Sequence, residues 1–233
     1  MTDSPNKHVR WNRSVFAQLE RHALEWIARR LPAAVTPDLL SALGLMSMAS
    51  AGIAFAAFRW NDGLAAAGVV AALAANWVGD SLDGTVARVR RIERPRYGYY
   101  VDHVIDLAGI TFLFGGLACS GLMSPLLAVV LLAAYLLVSA EVFLGTHSTG
   151  VFRMSFFGFG PTELRIVLAA GAIKAVGGAT VTVPGFAGLQ LFDAGAIVAI
   201  AGLVAAFVVS AVRNTRGLYA AEPVRRPDIQ RAA

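Results

Sequence analysis

Apolar residues along the chain fall into six runs: Leu39 to Phe58, Leu64 to Val86, Tyr99 to Cys119, Pro125 to Gly145, Thr162 to Val176 and Leu191 to Val212. Each is near the roughly 20 residues that a helix needs to cross a bilayer. The pattern therefore predicts six transmembrane helices. The fifth run is the weakest, because Glu163, Arg165 and Lys174 interrupt it. Turn-forming residues separate the runs at Asn61-Asp62-Gly63, Ser124-Pro125, Gly158-Phe159-Gly160-Pro161 and Pro184-Gly185. Such short connections predict a compact bundle of sequential neighbours.

Ahead of the first run, Trp11, Val15, Phe16, Leu19, Ala23, Trp26 and Ile27 recur at helical spacing, while Arg13, Gln18, Glu20, Arg21, Glu25 and Arg29 fall elsewhere. This split predicts an amphipathic helix, either lying in the membrane interface or packed against the bundle. Pro32 is expected to end it, and Pro37-Asp38 to open the first span. The organisation predicted is an arm over 1–38 with this juxtamembrane helix, a transmembrane domain over 39–213, and a basic tail over 214–233. The arm holds no apolar stretch of the signal-peptide kind, so insertion is expected from the internal spans.

Composition agrees with the pattern. Of the 233 residues, 57% are hydrophobic and 15% charged, with a mean hydropathy of +0.62; a soluble domain carries about 25% charged residues. The fold class expected is an all-α membrane protein. A single cysteine, Cys119, sits inside an apolar run, which excludes an internal disulfide and a cysteine metal site. With six spans, all but Arg59 and Lys174 of the 20 Lys and Arg fall on one side, together with both termini. The positive-inside rule makes that side cytoplasmic. The net charge of +5 is thereby explained as topology and attraction to membrane lipids, and no nucleic acid is expected as partner.

Few charges make one cluster conspicuous. Gly79-Asp80-Ser81-Leu82-Asp83-Gly84-Thr85-Val86-Ala87-Arg88 is followed, nine residues later, by Gly98-Tyr99-Tyr100-Val101-Asp102-His103-Val104-Ile105-Asp106. At about 100° per residue, Asp80, Asp83, Gly84 and Ala87 share one stripe of the second span. Asp102 and Asp106 share a stripe at the start of the third. Adjacent antiparallel helices would bring four carboxylates together at the cytoplasmic end, where they repel unless a cation sits among them. An oxygen-only donor set favours Mg²⁺ or Mn²⁺, and four carboxylates can hold two divalent cations. Such ions complete their shells with phosphate oxygens and water, which points to a phosphorylated substrate. Gly84 and Gly98 would let it approach the helix backbone, Ala87 leaves similar room, and Arg88 can face a diphosphate. The same carboxylates could instead serve a cation or proton transporter, although they lie toward one end of the spans rather than at the midplane.

Asp80-x-x-Asp83-Gly84-x-x-Ala87-Arg88, nine residues, then Gly98-x-x-x-Asp102-x-x-x-Asp106 resembles the motif of the CDP-alcohol phosphotransferase (CDP-alcohol phosphatidyltransferase) family at all its fixed positions. The entry Pro37-Asp38-Leu39-Leu40-Ser41 resembles the family less specifically. The resemblance implies an enzyme of phospholipid synthesis that moves a substituted phosphate from a CDP-linked donor to the hydroxyl of an alcohol or lipid acceptor, releasing CMP. It implies two metals held by Asp80, Asp83, Asp102 and Asp106, with Asp106 also the general base. It implies a CDP site formed by Asp80, Gly84, Ala87, Arg88 and Gly98, and a homodimer. The pair Asp102-His103 is similar to one in the choline and ethanolamine branch, so the donor is expected to be CDP-diacylglycerol or a CDP-aminoalcohol. For the acceptor, the candidates are His103 and, by topology, Arg153, Arg165 and Arg213. Glu163 can orient one of these arginines, and Glu141 is expected to pair with an arginine.

Overall fold

The computed structural model describes residues 15–150, 160–178, 180–183 and 186–222. Among these are seven α-helices: α1 (Val15–Arg30), α2 (Pro37–Ala56), α3 (Asp62–Arg90), α4 (Pro95–Ser120), α5 (Pro125–Thr149), α6 (Pro161–Ala175) and α7 (Leu191–Ala221). A 3-10 turn, Ala57–Arg59, prolongs α2. Local chemistry explains the starts. Proline occupies the first turn of α2, α4, α5 and α6, where no N–H is needed, while Thr36 Oγ1 accepts from Leu39 N and Asn61 Oδ1 from Leu64 N.

Five helices are long and apolar enough to cross a membrane: Pro37–Arg59, Asp62–Arg90, Pro95–Ser120, Pro125–Thr149 and Leu191–Ala221. Their outer faces are apolar; Leu64 is 74% and Val198 73% exposed, the reverse of a water-soluble helix. The chain is accordingly a multi-pass membrane protein. The fifth predicted run forms α6, which at 15 residues falls short of that length. Its two ends nevertheless meet distant points on α3. Arg165 donates to Asp80, and the amide of Gly177, just beyond α6, donates to Asp62 at 2.8 Å. Those aspartates are about 27 Å apart along α3 at 1.5 Å per residue.

The core lies where α2 is wedged between α3 and α4, around the fully buried Phe55, Val69, Leu113 and Leu117. Small residues allow this wedge. A Cβ on Gly116 of α4 would collide with the Gly52 carbonyl oxygen of α2, so the two backbones touch. Gly115, Gly195 and Gly202, equally small, face open space.

Three features depart from expectation. The segment after α6 forms an antiparallel hairpin, β1 (Thr180–Val183) with β2 (Phe186–Gln190), where the sequence pattern suggested only a connection. Helix α7 runs through Arg213 to Ala221, so the region assigned to a tail begins as helix. Helix α1 turns Ala28 onto Leu40, Leu82 and Val86, with Leu24 and Leu31 beside it, whereas Trp26 and Ile27 of the predicted apolar stripe are exposed. Arg90 of α3 ties this corner down by donating to the carbonyls of Leu31, Pro32 and Val35. The face that meets α3 is thus set by Leu24 and Ala28, about 100° or more from Trp26.

Candidate active site

The site forms where α3 ends and α4 begins. Helix α3 closes with Ile92 N bonded to Ala87 O and Arg91 N to Arg88 O, placing Arg91 in the left-handed region at φ 56°. That closure usually takes glycine, and an L-residue there costs roughly 1–2 kcal/mol. It reverses the chain within residues 91–94. Arg94 then forks onto Asp38 of α2, with both partners about half exposed, and Pro95 opens α4. Gly79 lets α2 lie close alongside, since a Cβ there would meet Leu40 O at 2.7 Å and Gly44 N at 2.9 Å.

This geometry gathers Asp80 with Asp102 and Asp106, one carboxylate oxygen of each lying within 4.8 Å of the others. Asp83 is turned toward α2. Its Oδ2 accepts from Ser41 Oγ at 2.7 Å and its Oδ1 from the Gly84 amide, while it stays within electrostatic reach of Asp80 and Asp102. The expected fourfold convergence is therefore a triad with Asp83 flanking it. Arg165 of α6 enters from the other side, its Nη2 2.6 Å from Asp80 Oδ2 and its Nε 2.7 Å from Asn76 Oδ1.

Magnitudes indicate what the triad lacks. Three ionised carboxylates at such spacing repel by about 3 kcal/mol per pair at an effective dielectric of about 20, and one guanidinium offsets only part of this. Set against Arg165, the guanidinium that the described residues bring to Asp80, three ionised carboxylates leave two negative charges, a deficit that a divalent cation can fill. Octahedral Mg²⁺ holds oxygens at about 2.1 Å, hence about 3 to 4.2 Å from one another, a distance that small side-chain rotations can reach. The residues present fit such an ion.

A family model for CDP-alcohol phosphatidyltransferase matches residues 34–208. That stretch includes all four aspartates, Arg165 and the helices that carry them. The chain belongs to the CDP-alcohol phosphatidyltransferase family. It is an enzyme of phospholipid synthesis. Its fold is similar to the crystal structure of Mycobacterium tuberculosis phosphatidylinositol phosphate synthase (PgsA1) with CDP-DAG bound, at 19% identity and a TM-score of 0.57, covering 88% of this chain and 100% of that one. No curated protein matches the sequence.

Other residues of this phosphatidyltransferase differ in how they relate to the triad. Arg88 lies over Gly84, with Nη1 3.2 Å from where a Cβ would be and Nη2 donating to Thr85 Oγ1 at 2.9 Å. Gly84 thus makes room for Arg88. Gly98 is exposed, and a Cβ there would meet nothing within 4 Å. His103 is buried between Tyr99 and Phe143 of α5, with ring centroids 4.2 and 5.2 Å away, and its Nδ1–H donates to the Tyr99 carbonyl. Arg213 is exposed on α7 beside Val209, Val212 and Arg216. Arg153 lies outside the described residues. Glu141 pairs with Asn214 of α7, whose Nδ2 donates at 2.8 Å, and among the described residues not with an arginine. Sequence reasoning missed Ser41, Asn76 and Tyr135, the last within electrostatic reach of Asp106 and Arg165. Only Ser41 had a signal, as the end of the Pro37–Ser41 entry.

Proposed function

We propose that this enzyme transfers a substituted phosphate from a CDP-linked donor to an acceptor hydroxyl, with release of CMP, at the carboxylate triad. The observation that carries the reading is the meeting of Asp80, Asp102 and Asp106, from both halves of the family motif, within 4.8 Å. Two divalent cations, Mg²⁺ or Mn²⁺, are held by Asp80, Asp83, Asp102 and Asp106; when bound, they neutralise the diphosphate and stabilise the departing CMP. Asp106 accepts the proton of the attacking hydroxyl. Arg88, seated over Gly84, faces the diphosphate from α3, with Ala87 and Gly98 leaving room for the cytidine moiety. Ser41 keeps Asp83 oriented. Arg165 balances charge at Asp80 and, with Arg153 and Arg213, offers cationic groups to an acceptor.

The donor proposed is CDP-diacylglycerol. His103, the residue that favoured a CDP-aminoalcohol, is occupied by its contacts with Tyr99 and Phe143, and the structural neighbour carries CDP-DAG. In this reading α6 is a sixth crossing, α1 lies at the interface with Trp26 toward lipid, and both termini and the site are cytoplasmic. The protein is proposed to act as a homodimer. A substrate panel tests the function: purified protein with Mg²⁺ or Mn²⁺ is given CDP-diacylglycerol, CDP-choline or CDP-ethanolamine across acceptors, and CMP is measured. CMP from CDP-diacylglycerol with a phosphodiester product is expected; no CMP from any CDP donor would refute the reading.

A further inference from the structure

Arg165 does not reach Asp80 unaided. Asn76, one turn before Asp80 on α3, is only 6% exposed, and its amide is engaged at both ends. Its Nδ2 donates to the Gly44 carbonyl of α2 at 2.9 Å, and its Oδ1 accepts from Arg165 Nε at 2.7 Å. The backbone contact fixes which way the amide points, so its oxygen faces α6. Because a guanidinium is planar and rigid, anchoring Nε also sets the direction of Nη2, which lies 2.6 Å from Asp80 Oδ2. One relay, Gly44 to Asn76 to Arg165 to Asp80, therefore joins α2, α3 and α6 at the edge of the triad.

The anchoring matters because of what a loose arginine would do there. Asp102 and Asp106 each present an oxygen within 4.8 Å of Asp80. A guanidinium held by Asp80 alone is free to swing, so that N–H groups not used by Asp80 reach toward Asp102 or Asp106, and it then stands where a cation must bind. Held by Asn76 as well, it keeps to one oxygen of Asp80. We infer that Asn76 is a positioning residue of the metal site: it fastens Arg165 to one side of Asp80 and so keeps the triad open to a divalent cation. The inference rests on the metal-dependent reading above.

Mn²⁺ binding to the purified full-length protein, followed through the electron paramagnetic resonance of free Mn²⁺ and without substrate, tests it. Asn76→Leu, which removes both hydrogen bonds at similar volume, is expected to weaken Mn²⁺ binding about 10-fold, the lower range for outer-shell partners of a metal site. Asn76→Asp keeps an oxygen for Nε but loses the donor to the Gly44 carbonyl, and is expected to weaken Mn²⁺ binding less than Asn76→Leu does. In an Arg165→Met background, Asn76→Leu is expected to have no further effect, because the group it positions is gone. Wild-type affinity in Asn76→Leu would overturn the inference while leaving the metal reading intact. An equal loss with and without Arg165 would assign Asn76 to helix packing and overturn it too. Should Asn76→Leu not fold, Asn76→Ala carries the same expectations. A wild-type protein that binds no Mn²⁺ would overturn the metal reading and this inference together.

Discussion

Aspartates stand at both ends of the bundle, and the two ends use them differently. Away from the motif, Asp62 accepts from the amides of Gly63 and Gly177, and Asp193 from the amide of Ser124. Those carboxylates close loops: each meets backbone N–H groups at or just beyond a helix end. At the motif end, Asp80, Asp102 and Asp106 meet one another, and Arg165 stands against Asp80. Asp83 shares in both patterns, taking one backbone amide and one hydroxyl beside the triad. Residue type is the same throughout; the partner separates an acid that shapes the fold from one that is left with charge to spend on a ligand.

The sharpest way to break this contrast is Asp106→Asn, which keeps size and removes both charge and basicity. CMP release is expected to fall by about 10²–10⁴-fold while the protein stays folded in the membrane, checked by steady-state assay and size-exclusion profile. Next comes Ser41→Ala, which frees Asp83 Oδ2. A roughly 10-fold loss in metal affinity or turnover is expected, read from Mg²⁺ activation curves. Asp193→Ala should behave in the opposite sense. Losing its bond to the Ser124 amide costs about 1 kcal/mol, a drop in Tm of about 2–4 °C, with CMP release per folded molecule unchanged. If it abolished activity instead, the division between the two ends would fail. The smallest structural effect is expected from Gly98→Ala, whose Cβ has open space. Tm should hold or rise slightly, since alanine favours helix over glycine by about 0.5–1 kcal/mol. A higher KM for the CDP donor would then report substrate against the α4 backbone.

Legibility in the sequence follows the range of the interactions. Five apolar runs became helices long and apolar enough to span a membrane, and their prolines and caps mark the starts, because those signals lie within a few residues of one another. The motif aspartates were legible too, since α3 and α4 are consecutive and the 91–94 turn leaves them few ways to pair. What spacing could not supply was the third party. Ser41 reaches Asp83 from α2, Arg165 reaches Asp80 from α6, and Asn214 reaches Glu141 from α7. Each joins helices whose order in space is set by packing, through contacts such as Gly52 on Gly116, and not by adjacency along the chain. Asp83 flanks the other three for the same reason: a helical wheel places it on their stripe, but Ser41 and the Gly84 amide decide where its oxygens point. His103 is similar. Its neighbour Asp102 is in the triad, yet one residue further turns about 100° around α4 and meets Phe143 instead.

The carboxylate triad is expected to turn over a CDP donor through a divalent cation. CMP release from CDP-diacylglycerol by the purified protein, before and after chelation and again after Mg²⁺ is restored, tests it most directly. The expected result is release that falls to background on chelation and returns with the metal. Release that persists unchanged through chelation would contradict the claim.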